Sequence, residues 1–393
     1  MSGGNQNILA VNGGSSSIKF SLYAGEPLLK WLSGKIDRIG LGDAKLTYTN
    51  DRSKSNGSLS VGAGDLSGAA DWLIGWLSKQ EGAMPLAAVG HRLVFGMEHT
   101  QASLIDDGLL EELQRISAYD PDHLPGEIEL IRLFRKYDPN LPQVACFDTA
   151  FHSTLSPLAK LLPIPRRYGR EGVRRYGFHG LSYAYILEEL TRIAGPVLAG
   201  GAVVMAHLGN GASLAAVKDG ESVDTTMGFT PAGGIVMGTR PGDIDPGVIW
   251  YIMNKERYDP EQLDHFINKE CGLLGVSETS SDMQDLLAAE SSDDRAAEAV
   301  GLFCYQVRKT IGAFSAVLGG LDALVFTGGI GEKSAVIRSR ICAGLGYLGI
   351  ELDQRANAGN EIVISANDAR VDVYAIPTDE EWMIAKETFK QIL

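Results

Sequence analysis

Two stretches of this chain, roughly 190 residues apart, repeat one pattern, and the repeat limits the fold more than any other feature. Residues 7–11 are apolar and strand-like, the small residues Asn12-Gly13-Gly14-Ser15-Ser16-Ser17 follow, and a strand resumes over 18–23. Gly25 turns the chain into a third strand over 28–36. Near residue 202 the order returns: a strand over 202–207, the turn Gly209-Asn210-Gly211, a strand over 212–217, the turn Asp219-Gly220 and a strand over 222–226. A period this long cannot build a solenoid, so it predicts a duplicated domain and two lobes. A length of 393 residues also exceeds one ordinary core.

Apolar spacing predicts helices over 65–80, 109–118, 126–136, 296–318 and 334–345, with single strands over 87–90, 143–147, 323–327 and 371–376. A last helix over 380–392 follows Pro377-Thr378-Asp379, with Thr378 or Asp379 as its N-cap. This order points to α/β lobes with mixed sheets. Analogy between the repeats places one lobe at 1–149 plus 382–393 and the other at 150–381.

A net charge of −14 disfavours a nucleic-acid partner. No apolar run is long enough to span a membrane. The stretch Met1 to Gln6 is polar and lacks the basic-then-apolar pattern of a signal peptide. Cys146, Cys271, Cys304 and Cys342 form no CxxC pair, so all four read as buried thiols of a cytoplasmic protein.

Anion binding by backbone N–H groups needs close approach, which side chains obstruct. Asn12–Ser17, Gly209–Gly211 and Thr327-Gly328-Gly329-Ile330-Gly331 each follow a strand. Any one could be a plain tight turn; three together favour nucleotide binding. GxxxxGK[ST] is absent, and no GxGxxG opens a helix after a strand, so neither a P-loop nor a dinucleotide fold is expected. His91, His123, His152, His179 and His207 sit in short segments with Gly, Arg, Asp or Pro, and none pairs with another at zincin spacing. Their common role is expected to be hydrogen-bond donation to a phosphate or carboxylate. Arg92 and Arg240, each beside glycine-containing turns, can hold such an anion through the guanidinium fork. The competing reading for each is a surface ion pair.

The segments Asn12–Lys19, Phe147–His152, Tyr176–Gly180, His207–Ser213, Asp224–Gly247, Phe326–Glu332 and Ile376–Glu381 resemble, in order, the motifs of the acetate kinase family. The resemblance covers essentially the whole chain. It implies two ribonuclease H-like lobes of the actin, Hsp70 and sugar-kinase type, an active site in the cleft between them, nucleotide on the C-terminal lobe, and a homodimer. The implied reaction is reversible, direct in-line phosphoryl transfer from ATP to acetate, giving acetyl phosphate and ADP; the alternative is a propionate or butyrate kinase of the same family. Mg²⁺, with Mn²⁺ as a substitute, would be held by Asn12 and Glu380. Asp148, His179 and Arg240 would be catalytic. Arg92, His123, Val94, Phe178 and Pro231 would contact the carboxylate substrate. Lys19, His207, Leu208, Gly209, Asn210, Gly211, Asp282, Met283, Gln284, Gly329, Ile330, Gly331, Glu332 and Lys333 would line the nucleotide site.

These residue types suit the reaction. Acetate is already ionised, so no strong base is needed; the difficulty is bringing an anion to a polyanion. Cations, a His donor and backbone N–H groups supply the charge, and lobe closure would exclude water. Asp148 would position Mg²⁺ or an arginine rather than take a proton.

The chain departs from the family in places. At the Arg92 strand the family usually reads His-Arg-Val-Val-His-Gly-Gly, and here it is His91-Arg92-Leu93-Val94-Phe95-Gly96-Met97. Around His123 the usual Pro-Leu-His-Asn-Pro is Pro121-Asp122-His123-Leu124-Pro125. The usual Asp-x-Arg is Asp282-Met283-Gln284, and Lys333 stands for a usual Asn. Acyl-chain and nucleotide preference are therefore open. A non-enzymatic ATP-binding protein of this fold would bind ATP without carboxylate-dependent turnover. A sugar kinase would need a base, and the two arginines favour an anionic acceptor instead.

Overall fold

The computed structural model describes residues 7–14 and 16–392; the polar stretch Met1 to Gln6 and Ser15 of the first turn lie outside the described residues. The chain divides into two compact units. One ends at Ala150 and takes up the chain again from Asp379; the other is Phe151–Thr378. Residues 379–381, assigned from sequence to the C-terminal lobe, therefore fall in the first unit.

In the first unit, β1 (Asn7–Gly13), β2 (Ile18–Ala24) and β3 (Leu29–Asp37) form an antiparallel meander. It continues through β4 (Lys45–Asn50) and β5 (Ser55–Ser60). On its other side β6 (Leu86–Leu93) runs parallel to β1, and β8 (Gln143–Phe147) parallel to β6, with the short β7 (Ser103–Leu104) at the edge. The apolar positions of β1 and β2 alternate onto a core that includes Leu9, Val11, Phe20, Leu22, Trp76, Leu130 and Phe134. The helix Glu380–Ile392 packs on β1 and β6. Gly90 permits this, because a Cβ there would overlap the side chains of Thr388 and Ile384.

In the second unit, β9 (Val203–Leu208), β10 (Ala212–Lys218) and β11 (Glu221–Thr225) repeat the meander, and β12 (Ala323–Thr327) and β13 (Asp372–Ala375) add the parallel strands. The sheet order is β11-β10-β9-β12-β13. Within the first sheet β3-β2-β1-β6-β8 has the same order and the same strand directions. The repeat legible in the glycine turns is thus a repeat of a whole sheet. Val203, Met205, Val325, Tyr183, Ile186 and Leu190 build the second core, the last three from the helix Gly180–Ala199.

Several local expectations need correction. The strands β4 and β5 were not expected from the sequence: β4 pairs with β3, and β5, mostly Ser, Asn and Gly, is held as a strand by pairing to β4. The helix Gly180–Ala199 was not expected, since Gly195 and Pro196 interrupt it; Gly195 sits at φ +83° where two helices meet. The Thr327-to-Gly331 segment is not an open turn: Gly328–Lys333 is a short helix after β12. The helix expected over 334–345 is Ala335–Cys342, with Ser334 as its N-cap. Cys146, Cys304 and Cys342 are buried thiols, but Cys271 is only half-buried. No helix among the described residues is long and apolar enough to cross a membrane.

Candidate active site

In the first unit the ends of β1, β6 and β8 bring three expected residues together. Arg92 on β6 donates from Nε (3.0 Å) and Nη2 (2.5 Å) to Asp148 Oδ2, just past β8. Its Nη1 donates to Asn12 Oδ1 at 3.1 Å, and Asn12 Nδ2 donates to Glu380 Oε2 at 3.1 Å. Glu380 opens the last helix, whose start is fixed by Asp379: its Oδ1 accepts the Trp382 N–H at 2.9 Å. Thr378 instead accepts the Ser182 hydroxyl, so Asp379 is the capping side chain.

The Asp148 side chain is buried, and that of Arg92 is 17% exposed. Burial alone would lower the guanidinium pKa, but Asp148 and Glu380 hold it above its ordinary value. Beneath this pair lies Glu127, which the sequence reading missed. It is buried, and both its oxygens accept the Val94 N–H at 3.2 Å. Burial pushes its carboxyl well above the usual range, and the Arg92 charge only partly opposes that. An acidic residue on the buried, otherwise apolar face of the helix Leu124–Tyr137 was its only signal. His123 pairs through Nδ1 with Asp120 Oδ1 at 2.8 Å. Lys19 lines a shallow groove of about 370 Å³ with Lys30, Lys35 and Glu381.

In the second unit His207 lies near the end of β9, the strand that corresponds to β1, and a second imidazole, His179, lies against it. His179 sits at φ +59° before the helix Gly180–Ala199 and bonds the Ser213 hydroxyl through Nδ1 at 2.8 Å. Tyr183 holds the same hydroxyl at 2.6 Å. His207 stacks on His179, with ring centroids 4.2 Å apart, and bonds Ser182 through Nδ1 at 2.8 Å. Arg240 donates to the Pro231 carbonyl at 2.7 Å. A Cβ on Gly211 would lie 2.7 Å from Arg240 Nη2 and 3.4 Å from His179 Nε2, so both nitrogens crowd the glycine turn. His179, His207, Arg240, Pro231 and Gly211 are therefore gathered, and Ser213 and Ser182, given no role from sequence, orient the two rings.

Two histidines need reassignment. His91 Nε2 meets Gln143 Oε1 at 2.7 Å, and His152 bonds Ser222 through Nδ1 and the Phe178 carbonyl through Nε2. Burial pushes both down to about 4, so each is neutral and structural rather than an anion donor. His152 braces the buried Phe178, next to His179.

Gly209, Asn210, Asp282, Met283, Gln284, Gly329, Ile330 and Lys333 line one cavity of about 460 Å³ in the second unit. Leu208 and Gly331 are buried beside it, and Glu332 pairs with Lys333 at 3.4 Å. A larger cavity of about 610 Å³, walled by the segment 155–174, contains none of the expected residues. No cluster of three or more His, Cys, Asp or Glu that could hold a metal ion occurs among the described residues. Oxygen donors suited to a hard cation are present nonetheless in Asn12, Glu380 and Asp148.

Two units of one sheet order, with charged and imidazole groups at matching strand ends, define a duplicated ribonuclease H-like α/β protein, the architecture of actin, Hsp70 and the sugar kinases. A model of the acetokinase family matches residues 7–386, and the chain belongs to that family. An acetate kinase from Nitrobacter hamburgensis is 44% identical, with 98% of this chain and 96% of that protein covered. A propionate kinase from Citrobacter rodentium is 42% identical over 98% of this chain and 96% of its own length. Among solved structures, a propionate kinase from Francisella tularensis matches with a TM-score of 0.92 at 35% identity, covering 98% of this chain and all of that one. An acetate kinase from Porphyromonas gingivalis matches with a TM-score of 0.87 at 33% identity, covering 98% and 99%.

Proposed function

We propose that this chain is an acetate kinase, moving a phosphoryl group reversibly and in line between ATP and the carboxylate of acetate. The observation that carries this is the held cation: Arg92 is fixed by Asp148 and Asn12 with a fork suited to a carboxylate. Arg92 is read as binding acetate, with Val94 two residues on and His123 at the start of the helix whose Glu127 holds the Val94 N–H. Phe178 and Pro231 complete the acceptor contacts. His179, oriented by Ser213, and Arg240, fixed by Pro231, are read as stabilising the phosphoryl group in flight. Losing one such contact is expected to cost about 2.7–4 kcal/mol in the transition state. No base is required, so Asp148 serves by holding Arg92.

Asn12, Glu380 and Asp148 supply oxygens of the kind Mg²⁺ takes, together with water and substrate phosphates. When bound, Mg²⁺ would neutralise phosphate charge. The residues from 207 to 211, 282 to 284 and 329 to 333 are read as the ATP site, and Lys19 as an outlying phosphate contact. That the two units' groups serve one reaction, closing over it, is part of the same proposal.

A homodimer is supported by the helix Pro246–Glu256, which buries none of its residues and leaves Trp250 69% and Tyr251 57% exposed. Four free cysteines and a metabolic phosphoryl donor fit a cytoplasmic setting. The propionate kinase relatives, and Phe95 in place of a polar ring, support propionate as a second acceptor. Acyl phosphate trapped as the hydroxamate, with acetate, propionate and butyrate, tests the proposal. Acetate-dependent product is expected, and ATP binding without it would contradict the reading.

A further inference from the structure

The chain passes from the second unit to the first between Thr378 and Asp379. Glu380, which the proposed function gives to the divalent cation, follows directly. Thr378 is tied to the second unit, where it accepts the Ser182 hydroxyl at 2.9 Å. A cation ligand next to such a crossing is held in one place only if the chain is tied down again at once.

Asp379 supplies that tie. Its Oδ1 accepts the Trp382 N–H at 2.9 Å and the Tyr23 hydroxyl at 3.2 Å, and its Oδ2 accepts Lys30 Nζ at 2.7 Å. Three donors thus engage its two oxygens, and this carboxylate serves as an anchor rather than as a further cation ligand. Two of the donors come from neighbouring strands, for Tyr23 of β2 and Lys30 of β3 are cross-strand partners. The register shifts between Leu22, which faces Leu32, and Tyr23, which faces Lys30. A bulge of this kind re-aims side chains, and here it sets a buried hydroxyl and a partly exposed ammonium at one carboxylate. The Lys30 side chain is 39% exposed and that of Asp379 24%, so the pair adds little to global stability. Its effect is local: Asp379 is fixed on the sheet of the first unit, and Glu380 is held between that anchor and Asn12 Nδ2.

We propose that Lys30 is a positioning residue for the divalent cation, holding Glu380 on the first unit through Asp379. The inference rests on the reading of Glu380 as a cation ligand. Lys30 itself touches neither cation nor substrate and acts only through the Asp379 carboxylate.

The test is Mn²⁺ binding to the protein with ADP present, read without turnover from the electron paramagnetic resonance signal of free Mn²⁺. Lys30→Met should weaken Mn²⁺ binding about tenfold. Asp379→Asn keeps an acceptor for Trp382 and Tyr23 but loses the charge partner, and should weaken binding to a similar extent. The double variant should bind no more weakly than either single one, because both remove one interaction. Lys30→Arg, which keeps the ion pair, should bind Mn²⁺ as the wild type does. In turnover, Lys30→Met should raise the KM for Mg²⁺ while kcat at saturating Mg²⁺ stays within about twofold. A merely structural pair would lower the melting temperature and leave Mn²⁺ affinity unchanged, which would overturn the inference, as would additive losses in the double variant. Glu380→Gln separates the two levels. If it weakens Mn²⁺ binding and Lys30→Met does not, the positioning inference alone fails. If it leaves Mn²⁺ binding unchanged, the cation reading of Glu380 fails and the inference with it.

Discussion

The two sheets share one strand order but present opposite chemistry at their turn ends. In the first unit the strand ends carry a buried ion pair, Arg92 with Asp148, extended through Asn12 to Glu380. In the second, His207 near the matching end of β9 stacks on His179 from the start of a helix, both rings oriented by hydroxyls, with Arg240 held by a carbonyl. Topology decides where side chains converge, and sequence decides which charge arrives there. Fixing a cation by a buried carboxylate and fixing an imidazole by a hydroxyl also carry different penalties when one partner is removed.

The largest difference is expected from Arg92→Ala. Leaving Asp148 buried without its counter-charge should destabilise the protein by about 3–5 kcal/mol in denaturant unfolding. A loss below 1 kcal/mol, roughly that of an exposed pair, would erase the contrast between the units.

Each unit also buries one neutral histidine, His91 in the first and His152 in the second, both pushed down to about 4 from an ordinary 6.5. Their contribution is present above 6.5 and is lost as pH falls toward 4, where unfolded imidazoles take up protons that the folded ones refuse. Each should add up to about 1.4 kcal/mol per pH unit to the slope of stability in that window, and His91→Gln or His152→Gln should remove its share. An unchanged slope in both variants would mean that neither ring is held neutral.

Ser213→Ala should come next, costing about 1–3 kcal/mol because Tyr183 and the His179 ring lose a shared buried partner. Its kcat should fall by roughly tenfold with less change in KM, since ring orientation rather than binding is disturbed. A KM effect alone would recast Ser213 as a substrate contact.

The smallest effect belongs to Glu127→Gln, which keeps an acceptor for Val94. Burial raises the Glu127 carboxyl above 4.5, so its contribution is fully present below 4.5 and is lost as pH rises toward the folded value. The variant should therefore gain about 1 kcal/mol relative to wild type at neutral pH and nothing at pH 4, read from paired melting curves. A constant difference at both pH values would show that Glu127 is already ionised in the fold.

Legibility in the sequence followed periodicity and the glycine turns. The meander strands were visible because apolar runs flank Asn12-Gly13-Gly14 and Gly209-Asn210-Gly211. The strands β4 and β5 were not, since β4 has no continuous apolar run and β5 is mostly Ser, Asn and Gly, held as a strand by pairing to β4. Arg92, Arg240 and His179 stood out beside glycine-containing turns as groups suited to an anion, whereas Asp148 was picked out only through the family resemblance. Glu127, Ser182 and Ser213 did not, because their roles arise from contacts across 33, 25 and 34 residues of chain that no local spacing encodes. His91 and His152 looked like the other histidines, and their near-complete burial on structural partners separates them.

The most direct measurement is the initial rate of acetate-dependent acyl phosphate formation by the wild type, Arg92→Ala and Arg240→Ala, one cation removed from each unit. The account predicts that each variant, still folded by circular dichroism, loses about 10²–10³ in rate. A folded Arg92→Ala or Arg240→Ala that keeps the wild-type rate would contradict it.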